Sequence, residues 1–428
     1  MLHDGRALRV AVIGGLRIPF CRANSNYTDA SNQDMMTATL AALVEKYDLK
    51  DQTLGDVALG AVIKHSSDWN LARESVIGCG LSLRTPGVDM QRACGTSLEA
   101  CINIANKIAL GQIESGIAGG CDSLSDVPIV FAKGFRSLML ASYRGNSILQ
   151  KALPWFRLRP HHFVPEFPGV TEPRTNLSMG ESMEITAKEF EIPREHQDQL
   201  ALASHIKAAE AYDSGFYDDL VTPFRDAEED NNIRRDTTFD KLQALKPSFD
   251  KSGSGTITAG NSTPLTDGAA AVLFASEEWA RQKNLPVIAF LTFGKVAAVD
   301  FVGREGLLMA PVYAVSEMLR DANLRLQDFD FYEIHEAFAA QTVATLMAWQ
   351  SEKFCRDRLG RNAPLGPIEL AKVNVKGGSI AIGHPFAATG ARIVATMAKL
   401  LHDKGGGRGL ISVCTAGGMG VTAIMEAA

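Results

Sequence analysis

The chain has 428 residues, 46% hydrophobic and 21% charged, enough apolar material for one large core or two ordinary ones. A formal net charge of -6 supplies no overall basic field, which argues against a nucleic-acid backbone as partner and leaves any basic patch local. The opening MLHDGRALRVAVIGG shows no charged leader followed by an apolar run and cleavage site, and no uninterrupted apolar stretch is long enough to span a bilayer, so a cytosolic or organelle-matrix enzyme is expected.

From the first residues onward, β-branched runs alternate with helical patterns. RVAVIGG precedes TATLAALVEKY, VALGAVI follows, and FYEI and LISVC come near the far end, an order that predicts α/β layers. Two stretches read as loose copies of one unit: RACGTSLEACINIANKIALGQIESGIAGGCDS and AIGHPFAATGARIVATMAKLLHDKGGGRGLISVCTAGGMG. Each runs from a tight turn through an apolar helix to a strand of small residues, which points to two similar halves. Between them, Val127 to Gly255 is rich in Pro, Arg and aromatics and reads as an insertion. From Val127 to Pro165 it has no Asp or Glu, yet carries Lys133, Arg136, Arg144, Lys151, Arg157 and Arg159 beside Trp155 and Phe156. Acidic groups elsewhere in the fold would neutralise such a patch; otherwise it suits coenzyme A phosphates, a membrane surface or an acidic partner.

Seven cysteines, an odd number without a C-x-x-C pair, argue against a disulfide framework and a structural zinc, and most are expected to be reduced and buried. Cys94 stands apart. In R-A-C-G-T-S-L-E, Thr96 and Glu99 have capping-box spacing, which places Cys94 just before or at a helix start, where free N–H groups favour a thiolate. Gly95 leaves room for a carbonyl to approach the sulfur and for a backbone N–H to meet the resulting oxyanion. The Gly-rich turn from Gly377 to Gly390 holds His384 against Pro385 as an exposed-tip candidate for taking a thiol proton; a structural, hydrogen-bonded His is the alternative. In C-T-A-G-G-M-G, Cys414 ends a strand and suits a second acid/base, or simply a core cysteine. H-E-A-F-A-A follows FYEI and opens a helix, so that His335 could hold a water or a carbonyl oxygen and Glu336 could orient that group or cap the helix. A zinc H-E-x-x-H would need His where Ala339 stands, and no metal is expected.

These four motifs in this order resemble the thiolase family over essentially the whole chain. T-I-T-A-G-N-S-T-P-L-T-D-G-A-A-A, Thr256 to Ala271, is similar to the family's segment along the pantetheine arm, and M-G-E-S at Met179 to Ser182 fits as well. The resemblance implies an α/β thiolase fold: two duplicated αβα halves forming a five-layer αβαβα core with an inserted loop domain. It divides the chain into 1–126, the first part of the N-terminal half; 127–255, the loop domain over the coenzyme A site; 256–283, the return of that half; and 284–428, the C-terminal half. It also implies that Cys94 becomes acylated, His384 activates it, and Cys414 moves the proton at the acetyl-CoA carbon. His335 and His384 would bracket one oxyanion site, and the N–H groups of Cys94 and Ala416 the other, with Met179, Ser262, Thr263 and Phe338 touching substrate. Coenzyme A enters as substrate, and no permanently bound cofactor is expected.

Three departures from the commonest family pattern stand out: His335 replaces an Asn, and Ala416 and Ala387 replace glycines. The H-E-A-F form resembles the thiolase (β) subunit of fatty-acid oxidation complexes. That subgroup implies a dimer or dimer of dimers, a hydratase/dehydrogenase partner subunit, and a bacterial cytoplasmic protein with peripheral membrane contact through the insertion. Rival readings are a biosynthetic acetoacetyl-CoA thiolase, a ketoacyl-ACP synthase-like condensing enzyme, which would lack a paired Cys414, and a catalytically silent coenzyme A-binding scaffold.

Overall fold

The computed structural model describes residues 7–428, and the leader reading rests partly on residues 1–6, outside them. Nine main strands run β1 (Val10–Arg17), β2 (Asp56–Leu59), β3 (Gly87–Asp89), β4 (Ser115–Asp122), β5 (Thr266–Ser276), β6 (Ala289–Ala298), β7 (Phe331–Ile334), β8 (Arg408–Thr415) and β9 (Met419–Ala427). The longer helices are α1 (Asn32–Lys46), α2 (Thr96–Ala109), α3 (Met179–Glu189), α4 (Arg194–Asp213), α5 (Ala310–Asp321), α6 (Ala339–Gln350) and α7 (Thr389–Lys404).

Across the sheet the strand order is β7-β8-β9-β6-β1-β5-β4-β2-β3, with Cys21–Arg22 paired to the side of β5. The duplication is visible in the pairing senses. In the first half β2-β4-β5-β1 pair parallel, antiparallel and antiparallel, and β7-β8-β9-β6 repeat that series in the second. Antiparallel contact of Ala11 with Phe290 and of Val12 with Ala289 joins the halves.

Strand alternation sorts side chains into layers. On β5, Val272 and Phe274 point to a central core, while Ala271 and Leu273 point to an outer one shared with α1. On β8, Ile411 and Val413 face the centre, while Leu410 and Cys414 face the outer cluster of α5 and α6. Between the two sheet halves lie α2 and α7, packed on each other and on strands of both. Buried along twelve of its sixteen residues, α7 is apolar nearly all round, as a helix covered by both sheet halves must be. Gly390 lets it approach α2, since a Cβ there would come closer to the Leu98 backbone nitrogen than real Cβ atoms do. The expected five layers, helix, sheet, helix pair, sheet, helix, are therefore present.

The stretch 127–255 is more helical than a loop, and within it α3 and α4 pack on α6. A smaller lobe comprises Lys133–Tyr143, Ile148–Ala152 and a two-stranded pairing of Val130–Phe131 with Pro165–Glu166. Phe135 is its centre, with Phe131, Trp155 and Phe163 rings within 5.9 Å. No helix among the described residues is long and apolar enough to cross a membrane.

Candidate active site

The turn before α2 is built differently from its sequence-based expectation. Gly95 is the N-cap and offers no side chain, so there is no capping box. Thr96 instead closes the turn: its hydroxyl donates to the Ala93 carbonyl at 2.7 Å and accepts the Arg92 N–H at 2.8 Å. Glu99 accepts from Asn103 and lies 3.6 Å from Arg92. Ala93 is forced to φ 44°, a left-handed conformation that costs an alanine about 1 kcal/mol or more, and the strain presents the next residue, Cys94, at the tip. Cys94 is partly accessible and stands just ahead of the helix, as expected. Desolvation pushes its thiol up to about 12, against the pull of the Ala416 N–H and its own N–H on the sulfur.

Cys414, one residue from the end of β8, is buried. Its thiol is pushed well up, first by burial and then by the neighbouring Cys94, while the Ala337 N–H favours its thiolate. That contact leads to H-E-A-F. His335 directly follows β7, but α6 begins only at Ala339, so His335 does not open a helix. Glu336 does not cap it either. Its carboxylate accepts from Ser204 at 2.7 Å, from Asn374 at 2.6 Å and from the Ile380 N–H at 3.3 Å, and Gly378 packs so closely on it that a side chain there would collide.

The ring of His335 lies 4.2 Å, centroid to centroid, from that of His384. His384 is not an exposed tip: it is only 4% exposed, because the G-H-P turn is folded under the strands. Its N–H donates to Thr266 at 2.7 Å and its Nδ1 pairs with Thr389 at 2.5 Å. Burial, then the Arg392 charge, pulls His384 down to about 3, and burial with the charges of His384 and Arg392 pulls His335 well below its ordinary value. Thus both imidazoles rest neutral and both thiols protonated. These four groups carry no charge until a proton moves, and donors beside them act in low dielectric.

The substrate-touching candidates also converge. Ser262 bridges Phe338, and the Thr263 N–H donates to the Ala337 carbonyl at 3.1 Å. Met179, Phe338 and Cys414 share one apolar cluster, with the Phe249 ring 5.8 Å from Phe338. From Ser262 a cleft of about 230 Å³ leads past Leu245 to Arg22, Arg234 and Lys241. No residue of the basic stretch 127–165 lines it, so the cations facing this cleft come from elsewhere. A larger cavity of about 550 Å³ lies between α4 and α6, but it reaches Glu336 rather than Cys94 or His384, and volume alone does not mark the chemistry.

Sequence reasoning missed the groups that hold these side chains. Asp122 accepts N–H bonds from Val62, Ile63 and Ala387 at 2.8–2.9 Å, tying the G-H-P turn to the first half; desolvation pushes its carboxyl up to about 7 despite those bonds. Thr266, Thr389, Ser379 and Arg392 were missed for the same reason, since only the fold supplies their partners.

Family models described as Thiolase, N-terminal domain and Thiolase, C-terminal domain match residues 10–278 and 286–427. A 3-ketoacyl-CoA thiolase of Yersinia pestis (strain Pestoides F) is 40% identical over 424 residues, 98% of this chain and 97% of its own. Among solved structures, Bacillus anthracis acetyl-CoA acetyltransferase superimposes with TM-score 0.82 at 29% identity, covering 99% of this chain and 100% of its own. Human mitochondrial 3-ketoacyl-CoA thiolase gives 0.81 at 28%, covering 98% and 99%. The Acat5 thiolase of Ascaris suum, solved with coenzyme A, gives 0.81 at 26%, covering 98% and 100%.

Proposed function

The chain belongs to the thiolase family and is an acyltransferase, and from that premise we propose that it cleaves 3-ketoacyl-CoA with coenzyme A through an acyl group on Cys94, in fatty-acid β-oxidation. The observations that carry the reading are the His335 and His384 rings 4.2 Å apart, and two thiols of which Cys94 takes the Ala416 N–H and is near enough to raise Cys414.

His384 takes the Cys94 proton as the sulfur attacks the 3-keto carbon, and the oxyanion meets the two imidazoles or the N–H groups of Cys94 and Ala416. The C2–C3 bond then breaks. Its electrons go to C2, which takes the Cys414 proton, and acetyl-CoA leaves. The His384 proton passes to the Cys414 thiolate through solvent. Incoming coenzyme A gives its thiol proton to His384 and attacks the thioester, and the Cys94 thiolate leaves and recovers that proton. Such a cycle is ping-pong. Burial keeps both partners neutral until attack, so the proton leaves Cys94 for His384 as the carbon–sulfur bond forms rather than from a resting thiolate.

Met179, Ser262, Thr263 and Phe338 would line the pantetheine path, and Arg22, Arg234 and Lys241 would meet the phosphates. The exposed lobe of 130–167 supports peripheral contact with anionic membrane, and the subgroup resemblance supports a hydratase/dehydrogenase partner, homo-oligomers and a bacterial cytoplasmic location. The four-part division at 126, 255 and 283 belongs to the same reading.

The test is coenzyme A-dependent cleavage of a short and a long 3-ketoacyl-CoA. Turnover of the long substrate, its loss in Cys94→Ala, and a Cys414→Ala variant that is acylated at Cys94 by a simple acyl-CoA yet cannot complete cleavage are expected. Activity confined to acetoacetyl-CoA would favour the biosynthetic direction, and full turnover by Cys94→Ala would sink the reading.

A further inference from the structure

Behind His335 lies a polar group that the cycle above does not use. Arg392 on α7 is 2% exposed, at the centre of the molecule. Among the described residues its Nε and Nη1 have no hydrogen-bond partner, and Glu333 is 3.7 Å away, too far for a hydrogen bond. Its one bond runs from Nη2 to the Ser379 hydroxyl at 2.9 Å. Ser379, fully buried, lies 2.8 Å from His335 Nδ1. A buried, poorly satisfied charge of this kind is costly and calls for a reason.

The directions of these bonds follow from what each group can do. A guanidinium only donates, so Ser379 must accept from Arg392. The serine has one hydrogen of its own, and among the described residues His335 Nδ1 is its sole acceptor. Were Nδ1 to carry hydrogen, the serine would accept twice and leave its O–H buried without a partner, which is unfavourable in a dry interior. His335 Nε2, on the other side of the ring, has no hydrogen-bond partner among the described residues.

We infer that Ser379 is a positioning residue: oriented by Arg392, its hydroxyl donates to His335 Nδ1 and holds the neutral imidazole in the tautomer that offers Nε2–H to the substrate carbonyl oxygen. The Arg392 charge also opposes protonation of that ring. His335 then serves as a hydrogen-bond donor that takes no proton, while the base work falls to His384. The part of the inference that concerns the substrate rests on the thiolase reading above; the tautomer does not.

Long-range proton–nitrogen correlation spectra of the full-length chain carrying [15N]-histidine, with His335 assigned by its disappearance in His335→Asn, read the tautomer directly. Hydrogen on Nε2 with a bare Nδ1 is expected, and hydrogen on Nδ1 would overturn the inference. Ser379→Ala should mix the two tautomers and lower kcat for 3-ketoacyl-CoA cleavage roughly tenfold or more with little change in KM. Ser379→Thr, which keeps the hydroxyl, should restore the His335 signals and kcat. Unchanged His335 signals and kcat in Ser379→Ala would equally overturn it. Should Cys94→Ala retain turnover, the thiolase reading fails while the wild-type spectrum still decides the tautomer.

Discussion

Burial acts on the two thiols and two imidazoles of the candidate site in one direction, by removing charge: Cys94 and Cys414 are pushed up, His384 and His335 down. The same physics acts on His205, which is 5% exposed near the Ser262 cleft and whose Nδ1 accepts the Arg234 N–H at 3.1 Å. Burial and then the Arg234 charge lower it to about 4. Because the folded value lies below the unfolded one, its contribution is fully present above about pH 6.5 and is lost as pH falls through 4. Relative to His205→Asn, which keeps an acceptor but cannot titrate, the native chain should lose roughly 2 kcal/mol more stability between pH 7 and pH 4.5. Denaturant titrations at pH 7 and pH 4.5 check this, and parallel losses in the two proteins would refute it. At this scale Cys94, His384, Cys414 and His335 were legible as candidates, because their motifs are local. The capping box of Thr96 and Glu99 was misread, because a capping box and a hydroxyl-closed turn have the same spacing, and the capping alternative for Glu336 failed because α6 starts three residues later, at Ala339.

Helices α2 and α7 are equivalent elements of the two halves and bring the two candidate turns together: each begins just after one of them, Cys94 before Thr96 and His384 before Thr389. Their closeness depends on Gly390 against Leu98 and on the Ala391 N–H donating to Ser97 at 2.8 Å. Gly390→Ala puts a methyl against backbone that cannot rotate away, at a cost of roughly 1–3 kcal/mol, despite the better helix propensity of alanine. A lower denaturation midpoint together with slower Cys94 acylation is expected, and a stabilised, fully active variant would show that the helices can separate without consequence. The sequence pattern located both helices from their apolar periodicity. It placed His384 at an exposed tip because a Gly-rich turn before a helix usually faces solvent, whereas here β4 and β5 of the first half cover it, through Asp122 and Thr266.

The whole molecule presents one surface out of character with the rest. In the lobe of 130–167, Tyr143, Ile148, Leu149 and Phe156 are 72–89% exposed, and all six cations of the stretch are exposed too. Among the described residues only Arg136 is ion-paired, with Glu166 at 3.2 Å. Apolar side chains beside unpaired cations suit an anionic lipid surface, where each cation contributes about 1 kcal/mol. Arg157→Gln with Arg159→Gln should therefore weaken binding to vesicles containing anionic lipid by roughly tenfold or more, and leave 3-ketoacyl-CoA cleavage in solution intact. Equal binding of both proteins, or no binding to anionic vesicles by either, would direct attention to a protein partner.

By itself the sequence determined the α/β class, the duplication and the order of the four motifs. These depend on periodicity and on residues adjacent in the chain, which side-chain chemistry reveals without coordinates. Only the tertiary structure decided what surrounds each motif. Asp122 reaches Ala387 across 265 positions, and Ser379 reaches His335 across 44. Burial, the largest cause of the shifts at Cys94, Cys414, His335 and His384, is a property of the packed layers and of no single segment.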